Sequence, residues 1–134
     1  MPKNVQRFEW LLYSAIALGL LSLLRNPSAL APILALESTN VFLFAYFIVA
    51  FASVEILFVV FIWLTARRRK NWARWTLVLF FAAGIPFEIY QMANEKDHVT
   101  VVIVAAISSM HGLAYFFIFS GDARPWFRQP QTQP

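Results

Sequence analysis

Four long apolar stretches alternate with short polar ones along the chain. Residues 8–24 carry Glu9 as their only charge, and residues 41–64 carry only Glu55. Residues 75–92 contain Glu88, and residues 99–119 contain His111. A bilayer core of about 30 Å takes roughly 17–25 apolar residues per helix. Each stretch is therefore predicted as a transmembrane helix. The expected fold is all-α: an integral membrane bundle of four helices forming one domain over residues 1–128. The last six residues, QPQTQP at 129–134, read as a disordered tail.

The polar segments define the connections. Residues 93–98 are a short turn carrying Glu95, Lys96 and Asp97, and residues 66–75, ARRRKNWARW, form a short basic loop. Short connections make neighbouring helices antiparallel, giving two hairpins. The segment 26–40, with Pro27, Pro32 and the run PILAL, is expected to lie along the membrane surface. The first stretch also resembles a secretory signal, with Lys3 and Arg7 ahead of it and Ala29-Leu30-Ala31 behind. Pro32 after the scissile bond, Arg25 before it and Glu9 at the start of the apolar run argue that it is not cleaved.

Composition agrees with this pattern. The chain is 60% hydrophobic and 13% charged, against about 25% charged in soluble domains. There is no cysteine, which excludes disulfides, thiolate metal sites and thiol catalysis. Gly-rich phosphate loops, HExxH and GxSxG are all missing from the sequence.

Charge sets the expected orientation. With the N-terminus inside, the cytoplasmic side holds Lys3, Arg7, Arg67, Arg68, Arg69, Lys70, Arg74, Arg124 and Arg128. The outside holds only Arg25 and Lys96. Short inner loops accumulate Lys and Arg, so both termini are expected in the cytoplasm. Trp10, Trp63, Trp72, Trp75 and Trp126 fall at the same ends, where indole sits between lipid and water. ARRRKNWARW is then a membrane-surface device, attracted to anionic lipid by about 1 kcal/mol per basic residue. It is not read as a nucleic-acid patch, because topology explains it.

Candidate chemistry lies in the few polar residues of the spans. Ionisable groups there are costly unless they face the bundle or water. Glu9, near a helix end, is expected to reach headgroups or to pair with Arg7 or Arg74. Glu55 and His111 lie about 13 and about 12 Å from the basic ends of their spans, at one level. They can share a hydrogen bond if the second and fourth helices touch. Ser108, His111 and Tyr115 recur on one helical face. Glu88 lies about 20 Å along the third span and shares a face with Gly84 and Gln91. Pro86 removes a backbone bond there and frees the Ala82 carbonyl, so Gly84 and Pro86 mark an expected kink beside a cavity wall. A packing helix with an outward-reaching Glu88 is the plainer alternative. Ala15, Gly19 and Ser22, and Ser108 with Gly112, form small-residue faces suited to close packing.

The opening RFEWLLY, the loop ARRRKNWARW and the terminal FSGDARPWF together resemble small four-helix inner-membrane proteins of bacteria. The resemblance implies a bacterial inner-membrane location and carries no activity with it. The Gly-rich motif of fluoride channels and the pattern of four-helix multidrug exporters are absent from the sequence.

Three functions follow as expectations. The first is a homo-oligomeric channel or transporter unit, with Glu55, Glu88, His111, Ser108, Tyr115 and Gln91 lining a polar pathway. The second is an accessory subunit of a larger membrane complex. The third is a binder of lipid or another small ligand, or an isomerase using Glu55 and His111 as acid and base. No metal site and no cofactor is predicted; the one candidate is tetrapyrrole ligation by His111.

Overall fold

The computed structural model describes residues 1–25, 35 and 40–128. Among these, every regular element is helical. The helices are α1 (Lys3–Arg25), α2 (Val41–Ala66), α3 (Asn71–Asn94), α4 (His98–Phe119) and the short α5 (Ala123–Arg128). The first four are long and apolar enough to cross a membrane. Each runs past its apolar stretch, α1 and α3 into charged residues, since a helix ends where its backbone bonding ends and not where its hydrophobicity does. Within ARRRKNWARW only Arg67 to Lys70 lie outside a helix, and Asn71 opens α3. The expectations for the segment 26–40 and for the tail fall largely outside the described residues.

Helix starts are set by side chains that satisfy the unpaired N-terminal amides. Asn40 Oδ1 accepts from the amides of Phe42 and Leu43, both at 3.1 Å, and starts α2. Asp97 accepts from Val99 and Thr100 and starts α4. Lys70 precedes α3 and provides no side-chain cap. The cap of α1 comes from the other end of the chain. Asp122 accepts from the Lys3 amide at 2.9 Å and the Asn4 amide at 3.2 Å.

Around the bundle the helices follow one another in chain order, with α4 closing extensively on α1. Both described ends of the chain and the Arg67–Lys70 turn lie at one end, called here the basic end. The close-packed core lies toward that end. Val5, Phe8 and Leu12 of α1 meet Ile62 and Ala66 of α2, Leu77 of α3 and Ala114, Tyr115 and Ile118 of α4. No buried residue of α2 precedes Ile62, none of α3 follows Leu77, and none of α4 precedes Ala114. The far halves expose apolar side chains such as Phe42, Val49 and Val102. Such surfaces suit lipid or protein neighbours and are costly in water.

Of the small-residue faces, Ala15 is buried as expected, but the two glycines do not pack closely. A Cβ built on Gly19 or on Gly112 meets nothing within 4 Å. Gly112 is exposed, and Gly19 borders open space. No close backbone approach occurs at either glycine, because the far half of the bundle is loosely filled.

Candidate functional site

The site begins with the stripe on α4. Ser108, His111 and Tyr115 all engage α3, in the order that antiparallel helices impose. Tyr115, nearest the basic end, donates its hydroxyl to the Leu77 carbonyl at 3.2 Å. His111 stacks on Phe81, with centroids 5.7 Å apart and planes 13° from parallel. Ser108, farthest along, hydrogen-bonds the Glu88 carboxyl and lies 3.0 Å from the Val104 carbonyl. Phe81 also packs on the Tyr115 ring at 5.2 Å. Aromatic pairs at such spacings hold both helices in one register.

His111 is oriented by its own helix. Its Nδ1 lies 2.9 Å from the Ile107 carbonyl. A carbonyl only accepts, so Nδ1 carries the hydrogen. The neutral ring then presents Nε2 as an acceptor or ligating atom. Phe58 approaches the ring edge-on, at 6.2 Å, so the imidazole sits among Phe58, Phe81 and Tyr115.

Glu55 and His111 face the same space. A cavity of about 370 Å³ lies between α1, α2 and α4, and both residues line it. The remaining wall is apolar, including Ile16, Phe51, Phe58 and Ile107. Leu20, Phe51 and Val54 on its rim are exposed, so it opens sideways between α1 and α2. The two polar groups make no hydrogen bond to each other. They sit on helices that face each other across the ring and not side by side. Among the described residues Glu55 has no hydrogen-bond or ion-pair partner, so its carboxyl is the unsatisfied group of the cavity.

A second cavity of about 250 Å³ lies toward the far end and is more polar. Ser22, Gln91, Glu95 and Thr100 line it, and it shares Gly19, Leu23 and Ile107 with the first. Gln91 thus belongs to this upper space. Glu88 and Ser108 bond to each other, and neither lines either cavity. Tyr115 is buried in the core, also away from both. α3 is a continuous helix through Pro86, which is exposed, while Gly84 is half-buried with open space where a side chain would lie. Toward the basic end the Leu12–Ile62–Leu77–Tyr115 core closes the space beneath.

The basic end is an aromatic and cationic platform. The Arg69 guanidinium lies 3.7 Å from the Trp126 centroid, and Arg68 lies 5.0 Å from that of Trp63. Trp72 packs edge-on against Phe61, and Trp75 packs at a tilt against Phe119. Lys70 caps nothing but bonds its amide to the Leu64 carbonyl, which closes the turn. Glu9 is buried, and its partner is Arg67 at 2.9 Å, neither Arg7 nor Arg74. The end of α2 comes to rest over α1, a lateral neighbour that sequence spacing does not encode. The hydrogen bond to Glu9, and then its charge, raise the Arg67 pKa further above its ordinary value.

Two features of this end escaped sequence reasoning. One is the distant cap by Asp122. The other is Gly121, at φ +53°, whose missing side chain leaves room for the Asn4 amide. The Gly-Asp pair after the fourth apolar stretch was the available signal, since Gly suits positive φ and Asp suits capping. Among the described residues no group of three His, Asp or Glu side chains is placed to hold a metal ion. No family model, curated protein or solved structure shows significant similarity to the chain.

Proposed function

We propose that this protein binds a small, largely apolar molecule with a polar head inside the membrane, between Glu55 and His111. One observation carries the reading: a carboxyl with no partner among the described residues and an oriented imidazole line a single apolar cavity that opens sideways. Its volume of about 370 Å³ falls within the roughly 300–1,000 Å³ of ligand pockets. An ionisable group without a partner at membrane depth is functional by default. The carboxyl of Glu55 accepts hydrogen bonds from an amine, ammonium or hydroxyl, and Nε2 of His111 accepts another. Phe51 and Phe58 suit the adjoining apolar or cationic part. Entry from the lipid, between α1 and α2, fits a molecule that partitions into the bilayer.

The charge bias supports a cytoplasmic basic end, and the resemblance to small bacterial inner-membrane proteins supports that membrane. The test is native mass spectrometry of protein extracted gently with its own lipids. A co-purifying small-molecule mass that disappears in Glu55→Gln, with the fold intact by circular dichroism, supports the reading. A ligand-free wild type whose melting temperature no fraction of the source lipid extract raises would sink it.

A second reading keeps a specific support. The upper cavity and the Glu55–His111 cavity share a wall, giving a polar approach from the far end to mid-membrane. In a homo-oligomer this is half of a pathway for a proton or small cation, with the basic-end core as the closed gate. Flux in liposomes that Glu55→Gln leaves unchanged would remove Glu55 from such a pathway. In an accessory-subunit role, the exposed apolar faces of α2 would carry the partner contacts.

A further inference from the structure

Three arginines converge at the basic end, and among the described residues no carboxylate lines their cavity. Arg74 from α3 and Arg124 and Arg128 from α5 line one cavity of about 370 Å³, with Asn71, Phe119 and Phe127. The Arg74 guanidinium lies over the Phe119 and Phe127 rings, 4.3 and 4.6 Å from their centroids. Its Nε is buried and has no hydrogen-bond partner. Arg124 donates Nε to the Phe119 carbonyl at 2.8 Å, which steadies the side chain and leaves its terminal nitrogens uncommitted. Among the described residues the two carboxylates of this end, Glu9 and Asp122, are occupied elsewhere. Glu9 holds Arg67, and Asp122 holds the start of α1.

Like charges gathered in one cavity repel each other. An anion that bridges them removes the repulsion and accepts from the terminal guanidinium nitrogens that reach the cavity. A guanidinium matches phosphate with two parallel N–H···O bonds, and several around one site outdo scattered surface cations. The amide end of α3 opens at Asn71 in the same cavity, and adds its partial positive charge to the arginines. The Phe119 and Phe127 rings supply an apolar wall, which a free ion does not need and a lipid does.

We propose that this cavity is a phosphate-binding site, filled by the headgroup of an anionic phospholipid. It is separate from the Glu55–His111 cavity and does not depend on a ligand there. The site lies at the ends of the spanning helices, at headgroup level, and so ties α3 to α5 through the lipid.

The experiment is native mass spectrometry of the full chain in detergent, titrated with phosphatidylglycerol or phosphatidylcholine. The expected result is one phosphatidylglycerol retained per chain, in preference to phosphatidylcholine. Arg74→Gln and Arg128→Gln are each expected to weaken retention about tenfold, the loss of one charge-assisted contact. Lys3→Gln with Arg7→Gln removes two charges from the same end, one more than either variant, but outside the cavity, and should leave retention unchanged. Arg128 is exposed, so its variant tests the site even where Arg74→Gln fails to fold. Inorganic phosphate and glycerol phosphate are added as competitors. Displacement by them assigns the site to a soluble phosphate, and persistence of the lipid assigns it to the headgroup; both uphold a phosphate site. Equal weakening by the control pair, or no binding of lipid or phosphate by the wild type, overturns it.

Discussion

Asp122 closes the start of a helix that begins 119 residues earlier, accepting the Lys3 amide at 2.9 Å. Its other oxygen accepts from Asn4, whose own side chain donates to the Ser120 carbonyl at 3.1 Å. The first and last of the four long apolar helices are thus tied at the basic end by a polar clasp. Asp122→Ala should cost about 1 kcal/mol, the usual loss for an N-cap. Asp122→Asn, which still accepts, should cost less. Gly121→Ala should be worse than a neutral change. It places a Cβ at 2.6 Å from the Asn4 Nδ2, in a backbone region that costs an L-residue roughly 1–2 kcal/mol. Thermal unfolding in detergent checks all three.

Acid should loosen the opposite end. Asp97 caps α4, takes a hydrogen bond from the Thr100 hydroxyl at 2.7 Å, and lies 3.5 Å from Arg25 of α1. The Thr100 side chain first, then the Val99 amide, hold its pKa below the ordinary 3.8. The folded state therefore binds this proton less readily than the unfolded state. Its contribution is full above the ordinary value and is lost as pH falls through the depressed one. Melting temperature followed from neutral pH into that range should drop more steeply in the wild type than in Asp97→Asn.

Tyr115 distinguishes a structural stripe from a pathway. Tyr115→Phe removes only the hydroxyl bonded to Leu77. A loss of about 0.5–1.5 kcal/mol is expected, with ligand binding or flux unchanged. Changed binding at unchanged stability would return Tyr115 to the functional site.

Gly19 offers a steric probe of the cavities. It borders both, and a Cβ there meets nothing within 4 Å. Gly19→Ala should raise stability by up to about 1 kcal/mol through helix propensity. Gly19→Leu should fill the junction, leave the protein folded and weaken binding at Glu55. Native mass spectrometry against a thermal melt separates the two effects.

The sequence by itself determined what is local or periodic. Apolar length placed four helices long enough to cross a membrane, and the helical period put Ser108, His111 and Tyr115 on one face. Rise per residue set Glu55 and His111 at one level. Tertiary structure decided the lateral neighbours, because helix periodicity says which face a residue is on and nothing about which helix that face meets. It gave the Ser108 stripe to α3 and Glu9 to Arg67. It set Glu55 and His111 on opposite sides of a cavity instead of in contact. It left Gly19 beside open space, since a small residue permits close approach but does not compel it. It also brought Asp122 to Lys3 and Arg74 to Arg124 and Arg128, contacts that exist only once the ring of helices has closed.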